Sequence, residues 1–211
     1  MVGQGVLREC LLAPDVERVV TIGRKETGQK HEKLTELTVP DLSDYSSIAD
    51  ELAGFDACFF CLGVASTGMS EPEYRRVTHD FAVAAARTLV EKNPSMTFIF
   101  VSGAGTDSTG KSSTMWARVK GETENEILAL PFKGAYAFRP AFIQPLHGIK
   151  SRTRAYRIFY VIVNPLFPLL KLLFPRQVTS TERVGRAMLN VVRRGAPQRI
   201  LENADIDAAA D

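Results

Sequence analysis

The sequence contains few of the residues that build disulfide frameworks and metal sites. Its 211 residues include three cysteines and three histidines. So few thiols are typical of a reducing compartment rather than a secreted disulfide scaffold. The histidines His31, His79 and His147 are scattered, with no ligand-like partners at metal spacing. We therefore expect a cytoplasmic protein without a metal site.

Two of the cysteines have CxxC spacing, in Cys58-Phe-Phe-Cys61. This run is apolar and is predicted to be a β-strand. Residues three apart on a strand point to opposite faces of the sheet, so the two thiols should not meet. We interpret both as small, buried, apolar residues rather than a redox pair.

A strong excess of positive charge is also absent. The formal net charge is +2 and no arginine-rich arm occurs, which argues against a nucleic-acid partner. The opening residues 1–5 lack the basic n-region and apolar h-region of a secretory signal. The hydrophobic content of 45% and charged content of 24% are those of an ordinary globular domain.

Short apolar runs alternate with helical patterns along the chain, and this alternation predicts an α/β fold with a parallel sheet covered by helices. The predicted strands are 18–22, 34–39, 57–62, 97–101, 134–139 and 199–202. The predicted helices are 1–13, 46–53, 70–90, 113–130 and 179–194. Capping boxes are expected at the start of two of these helices, over 70–73 and 179–182.

The most informative stretch is the strand 97–101, which runs into Ser102 and is followed by a helix with Trp116 and Lys120. This arrangement resembles the active-site region of the short-chain dehydrogenase/reductase family, in which a serine ends a strand and a Tyr-x-x-x-Lys pair follows. The resemblance implies that Lys120 holds the nicotinamide ribose and that Ser102 orients a substrate oxygen. An alternative alignment places Gly103 at the serine position.

The family's tyrosine position holds Trp116 in this chain. Indole has no acidic hydroxyl and cannot perform the proton transfer of a phenol. Trp116 would instead stack on the nicotinamide, wall off the substrate pocket, or pack as a buried helix-face aromatic. A proton would then come from water, Ser113, Thr114 or the substrate, so slow or restricted chemistry is expected.

The start of the chain resembles the end of a glycine-rich dinucleotide turn, with Gly3 at the third glycine position. The first strand and the first two glycines of that pattern are absent. We expect a Rossmann-like doubly wound sheet, truncated at its N-terminus. The alternatives are direct pairing of the strands 18–22 and 57–62, or a gap between them.

The resemblance also implies where the remaining parts of a dinucleotide would lie. Arg24 and Lys25 follow a strand where arginine can grip the 2′-phosphate of NADP, so we expect NADP, with NAD as the alternative. The residues expected near adenine and ribose are Asp41, Leu42, Cys61, Leu62 and Gly63.

The segment at Arg139, Pro140 and Phe142 resembles the family's "RP" segment, whose backbone meets the carboxamide end of the cofactor. With it, the resemblance covers nearly the whole chain and is closest to the atypical, Tip30-like (HTATIP2-like) NAD(P)-binding branch. We expect a dinucleotide-binding core over 1–145, a helical cap over 146–178, and a segment over 179–211 that returns to the core.

The expected cap is basic and then apolar. Lys150, Arg152, Arg154 and Arg157 precede a run that continues to Phe174, but charges and prolines interrupt it too often for a transmembrane helix. The alternatives are a packed cap helix, a lid over an apolar substrate, a dimer surface, or peripheral membrane contact through 150–174.

Two functions from different classes follow. The first is an oxidoreductase that transfers hydride between NADP(H) and a carbonyl or alcohol substrate. The second is a dinucleotide-sensing regulatory or scaffold protein without turnover. Fold resemblance alone cannot separate them, because one fold hosts both. The sequence does not identify the small-molecule substrate or the oligomeric state.

Overall fold

In a computed structural model the chain forms parallel β-strands flanked by helices, and the structure describes residues 1–149, 167 and 172–211. The strands are β1 (Val19–Gly23), β2 (Leu34–Thr38), β3 (Ala57–Phe60), β4 (Thr97–Val101), β5 (Gly134–Arg139), β6 (Phe142–Gln144), β7 (Val178–Ser180) and β8 (Ile200–Glu202).

Helices precede or connect most of these strands. They are α1 (Val2–Leu12), a 3-10 helix (Ser46–Leu52), α2 (Glu71–Arg75), a π-helical turn (Arg76–Asp80), α3 (Phe81–Lys92), α4 (Met115–Ala129), α5 (Thr181–Arg194) and α6 (Asn203–Ala209). The expected α/β fold with a parallel sheet is thereby confirmed.

Among the described residues, the strands form three ladders. The largest has the order β3-β4-β5-β8, and β1-β2 and β6-β7 are two-stranded. Every strand pair is parallel. Strands β1 and β3 are not hydrogen-bonded to each other, so of the alternatives left open by the sequence, direct pairing is wrong and a gap is observed.

Two apolar cores cover opposite faces of the sheet. One contains Phe60, Phe98 and Phe100 beneath α3. The other contains Ile99 and Phe138 beneath α1 and α5. Alternate residues of β4 therefore enter different cores, as expected for a central strand buried on both faces.

The capping predictions had different outcomes. Ser70 and Glu73 form the expected capping box at α2, where the Glu73 Oε2 accepts from the Ser70 backbone N–H at 2.9 Å. The box expected over 179–182 is wrong, since Thr179 lies within β7. Ser180 is the N-cap of α5 instead, and its Oγ accepts from the Arg183 N–H at 3.1 Å.

The long helix predicted over 70–90 begins at Glu71 and ends at Lys92, and the π-helical turn interrupts it before α3. The sequence analysis missed β6, β7 and α6. Two of these are three-residue strands, too short for an alternating pattern to be read. Pairing between β6 and β7 joins residues that are far apart in sequence, and local propensity does not report such pairing.

The basic and apolar segment 150–174 lies largely outside the described residues. The division of the chain at 145 and 178 therefore stays a prediction. In the part of the chain that is described, no helix is both long and apolar enough to cross a membrane.

Candidate functional site

A cavity of about 1980 Å³ lies along the gap between β1 and β3 and continues past their carboxyl ends. Its walls include Gly3 at the start of α1, Gly23 at the end of β1, and Cys61 just after β3. Ser102 and Lys120 line the same cavity. In open parallel sheets, ligands bind in the crevice outside the carboxyl ends of the strands.

The first turn of α1 lies close to the end of β3. A Cβ atom added to Gly3 would lie 3.2 Å from the Cβ of Cys61. A second glycine, Gly5, has a role that the sequence analysis did not assign. A Cβ there would lie 2.5 Å from the Thr181 carbonyl oxygen, so Gly5 permits the close approach of α1 to α5.

Arg24 and Lys25 both line the cavity, directly after β1. Glu36 on β2 fixes the loop that follows them, because its Oε2 accepts from the Thr27 N–H at 2.5 Å. This hydrogen bond lowers the pKa of the Glu36 carboxyl below its ordinary value. The sequence analysis missed Glu36, which lies in the middle of a strand and carries no motif.

Asp41 and Leu42 take different positions. Leu42 is buried and lines the cavity. Asp41 accepts from the Ser43 N–H at 3.0 Å, and its Oδ2 lies 3.5 Å from Arg76. The hydrogen bond from Ser43 is the main reason that the pKa of the Asp41 carboxyl is lowered. This aspartate therefore shapes a turn beside the cavity.

Cys61, Leu62 and Gly63 all line the cavity, and their contact with a ribose stays a prediction. Cys58 packs in the core on one face of the sheet and Cys61 in the core on the other. Both are free thiols, which confirms that the CxxC spacing does not form a disulfide. Burial raises the pKa of Cys61 to about 12, so its thiol is unreactive at neutral pH.

Ser102 follows β4 and is buried. Its Oγ lies 2.9 Å from the Oγ1 of Thr106, which in turn donates to the Gly103 carbonyl oxygen at 2.8 Å. The Ser102 N–H donates to the Phe138 carbonyl oxygen at 2.7 Å. Thr106 was missed by the sequence analysis, although it determines the direction of the Ser102 hydroxyl.

Lys120 on α4 reaches the end of β4. Its Nζ lies 3.4 Å from the Val101 carbonyl oxygen and 5.4 Å from the centre of the Phe100 ring. Burial lowers the pKa of Lys120 to about 8, while the nearby Glu124 raises it. A cation held at this position suits hydrogen bonding to ribose hydroxyls.

Trp116 lies one turn earlier on α4 and borders a second cavity of about 740 Å³. Pro140 and Phe142 are in its wall, and Phe142 is 55% exposed. The Trp116 ring contacts Gly105, where an added Cβ would lie 3.4 Å from Cη2. The indole thus forms part of the wall of this second cavity, together with the 103–105 loop.

The Arg139 side chain forms a buried ion pair with Glu124 and a second ion pair with Glu202. Ser108 also accepts from Arg139 Nη2 at 2.5 Å. These three partners occupy the guanidinium, so a cofactor would contact Arg139 only through its backbone. Glu124, fully buried on α4, was not identified from the sequence.

No group of three or more His, Cys, Asp or Glu side chains that could hold a metal ion occurs within residues 1–149, 167 and 172–211.

Comparison with protein-family models gives no match. Comparison with individual proteins does. The chain is 31% identical over 160 residues to the mitochondrial protein fmp52-1 of Aspergillus terreus, covering 73% of this chain and 66% of that protein. It is 27% identical over 143 residues to protein HTATIP2 of Rattus norvegicus, covering 67% of this chain and 58% of that protein. The chain thus spans less than two thirds of the length of these relatives.

Solved structures share the fold at low sequence identity. The Bordetella bronchiseptica enzyme WbmF in complex with NAD+ has a TM-score of 0.65 at 12% identity, over 98% of this chain and 73% of that one. Helicobacter pylori ADP-L-glycero-D-manno-heptose-6-epimerase has a TM-score of 0.65 at 13% identity, over 96% of this chain and 72% of that one. These matches confirm a Rossmann-like fold.

The relatives also correct the expected location. The Aspergillus terreus, Emericella nidulans and Saccharomyces cerevisiae relatives are named as mitochondrial proteins, which contradicts the cytoplasmic expectation. That expectation was drawn largely from the small number of cysteines. Reduced thiols are compatible with more than one compartment, so composition could not distinguish between them.

Proposed function

This chain is a homologue of the Fmp52 and HTATIP2 proteins with a Rossmann-like fold of the atypical short-chain dehydrogenase/reductase type, and from that premise we propose that it binds a nicotinamide dinucleotide. The observation that carries the proposal is the convergence of separate elements on one cavity. The start of α1, the loop after β1, the residues after β3 and Lys120 all line it.

Each of these elements offers suitable chemistry. The N-terminal turn of α1 presents backbone N–H groups, which favour phosphate. Arg24 and Lys25 line the cavity directly after β1, and their positive charge would favour a 2′-phosphate, so NADP is the proposed cofactor. A Cβ atom added to Gly63 would have no other heavy atom within 4 Å, so the backbone there is accessible to a ribose. When bound, the dinucleotide would supply hydride chemistry.

The proposed reaction is hydride transfer to or from a carbonyl or alcohol substrate. Ser102 would hold the substrate oxygen, and its hydroxyl is already directed by Thr106. The cavity bordered by Trp116 and Phe142 would receive an apolar part of the substrate. The Trp116 indole has no phenol proton to give, so turnover should be slow.

The alternative is a protein that senses the dinucleotide without turnover. The same residues would bind the cofactor, and the tryptophan would close the pocket rather than serve catalysis. The two functions differ in a single measurable property, which is the oxidation of bound NADPH by added carbonyl compounds.

The first experiment is a titration of the protein with NADPH and, separately, with NADH. Trp116 is the sole tryptophan, and its emission reports binding near α4. Calorimetry in parallel gives the affinity without a probe. Saturable binding, tighter for NADPH, is the expected result. The absence of binding of either dinucleotide would overturn the proposal and leave the fold without its usual cofactor.

Location and membrane contact are further proposals. We propose a mitochondrial location from the names of the Fmp52 relatives. Fractionation of cells that express the tagged protein tests this location.

Peripheral membrane contact is favoured by the exposed side chains of Leu172, Leu173 and Phe174. Vesicle co-sedimentation should then require anionic lipid and weaken with salt, and binding that is insensitive to salt would contradict this.

A further inference from the structure

The turn after β4 holds Thr106 close to Ser102, and both residues are buried. The Thr106 N–H donates to the Gly103 carbonyl oxygen at 3.2 Å and closes a four-residue turn. Gly105, at the third position of this turn, has a φ of 85°, as a type II turn requires. The Ser102 N–H donates to the Phe138 carbonyl oxygen at 2.7 Å, which fixes the start of the turn to β5. The turn therefore sets the position of the Thr106 hydroxyl beside Ser102.

One assignment of hydrogen atoms makes both hydrogen bonds of these hydroxyls. The Thr106 Oγ1 lies 2.8 Å from the Gly103 carbonyl oxygen and 2.9 Å from the Ser102 Oγ. A carbonyl oxygen can only accept, so the single hydroxyl hydrogen of Thr106 is directed to Gly103. The hydrogen between the two hydroxyl oxygens then belongs to Ser102. Ser102 is therefore the donor and Thr106 the acceptor.

The Ser102 Oγ consequently faces a ligand as an acceptor. Its hydrogen is directed to Thr106, and no N–H group donates to it within the part of the chain that the structure describes. Ser102 lines the large cavity, so its remaining lone pairs are available there. Lys120 lines the same cavity but donates to the Val101 carbonyl oxygen. A ligand oxygen that binds to Ser102 must therefore bring its own hydrogen.

A carbonyl oxygen at the same position would cost one hydrogen bond. If Ser102 turned its hydrogen toward the ligand, the Ser102 and Thr106 oxygens would face each other at 2.9 Å without a hydrogen between them. If Thr106 turned its hydrogen to Ser102 instead, the hydroxyl hydrogen bond to Gly103 would be lost. Both hydroxyls are buried, where a lost partner is not replaced by water. Either rearrangement disfavours a carbonyl relative to an alcohol.

We infer that Thr106 is a positioning residue that makes the substrate site selective for hydroxyl groups, so that the alcohol form of a substrate binds more tightly than its carbonyl form. This inference rests on the proposed function, because it takes Ser102 as the residue that holds the substrate oxygen. The expected preference is about fivefold, which corresponds to one net hydrogen bond. It concerns binding alone, since the alcohol keeps its hydrogen while it donates to the Ser102 Oγ.

The test compares an alcohol and a ketone with the same carbon skeleton. The probes are 1-(4-fluorophenyl)ethanol and 4-fluoroacetophenone, and fluorine nuclear magnetic resonance measures their dissociation constants without any dinucleotide. The wild-type protein should bind the alcohol about fivefold more tightly than the ketone. Equal affinities, tighter binding of the ketone, or no binding of the alcohol would overturn the inference. A failed NADPH titration beside a retained alcohol preference would overturn the proposed cofactor alone.

Substitutions at Thr106 locate the origin of the preference. Thr106→Val keeps the size of the side chain but releases the Ser102 hydrogen, so ketone binding should strengthen and the ratio of affinities should fall to about one. Thr106→Ala should have the same effect and does not depend on how valine packs. Thr106→Ser keeps both hydrogen bonds and should retain the preference. Slow amide exchange at Phe98 and Ile99 in β4 verifies that each variant is folded.

Thr88→Val is the matched control, because it removes a hydroxyl that donates to a backbone carbonyl oxygen, that of Ala84, at 3.0 Å on α3. It should leave the preference unchanged. A preference retained in folded Thr106→Val or Thr106→Ala protein, or lost equally in Thr88→Val, would contradict the role of Thr106.

A second readout reports the hydrogen bond to Gly103 directly and needs no ligand. The resonance of the Gly103 carbonyl carbon should move to lower frequency in Thr106→Val, which lacks the donating hydroxyl. It should stay in place in Thr106→Ser. An unchanged resonance in Thr106→Val would show that Thr106 does not donate to Gly103, and the direction assigned to the Ser102 hydroxyl would then be wrong.

Discussion

Arg139 at the end of β5 holds the carboxylate of Glu124 on α4 through two hydrogen bonds. The Arg139 Nε donates to Oε1 at 3.0 Å and Nη2 donates to Oε2 at 2.5 Å. The Glu124 side chain is completely buried and that of Arg139 nearly so. This pair ties the helix that carries Trp116 and Lys120 to the sheet, one turn of helix beyond Lys120.

The first prediction concerns this ion pair. Glu124→Gln should lower the free energy of unfolding by about 3 kcal/mol, because it leaves the Arg139 charge incompletely compensated in a buried site. Urea denaturation measures the change. Glu122→Gln on the same helix is the control, since its partly exposed pair with Arg75 should contribute less than about 1 kcal/mol. Equal effects of the two substitutions would contradict the assigned role.

A second prediction concerns the pH dependence of stability. The pKa of Lys120 is lowered from 10.5 to about 8 in the folded protein. Between these values the unfolded chain binds more protons than the folded chain, so the free energy of unfolding should rise with pH across this window. Below about pH 8 the partly buried ammonium reduces stability.

Lys120→Met should remove that dependence and raise the free energy of unfolding at pH 7 by roughly 1–3 kcal/mol. Urea denaturation at several pH values from 7 to 10.5 measures this effect. Lys111→Met, at an exposed position, is the control and should leave the pH profile unchanged. Parallel profiles for the wild type and Lys120→Met would show that Lys120 is not perturbed. The same substitution should weaken dinucleotide binding.

A third prediction concerns the residue at the tyrosine position. If Trp116 replaces the usual acid, Trp116→Tyr should raise NADPH-dependent reduction of a panel of aldehydes and ketones by about tenfold or more. Trp116→Phe is the control, because it changes the ring without adding a hydroxyl. A gain in both variants would indicate relief of steric closure. The absence of a gain across the panel would favour the dinucleotide-sensing function.

A fourth prediction concerns cofactor preference. Arg24→Asp should raise the dissociation constant for NADPH about tenfold or more, because it replaces a cation near the 2′-phosphate with an anion. The dissociation constant for NADH should not rise. Lys30→Asp lies in the same β1–β2 connection but outside the cavity lining, and it serves as the control for net charge. An equal loss of affinity for both dinucleotides would contradict the proposed contact.

The sequence by itself determined the order and type of the main elements. The strands at 97–101 and 134–139 were predicted with the bounds that the structure has, because continuous apolar runs of that length are typical of strands buried on both faces. It also determined that Ser102, Trp116 and Lys120 follow one another along a strand, loop and helix. These features are local, and local patterns of polarity and spacing report them.

Only the tertiary structure determined which groups those side chains contact. It paired Arg139 with Glu124, directed Ser102 through Thr106, and placed Trp116 at a different cavity from Lys120. It also left β1 and β3 apart, where the sequence allowed either pairing or a gap. Such relationships join residues that are distant in the chain, and packing and charge compensation determine them rather than any local propensity.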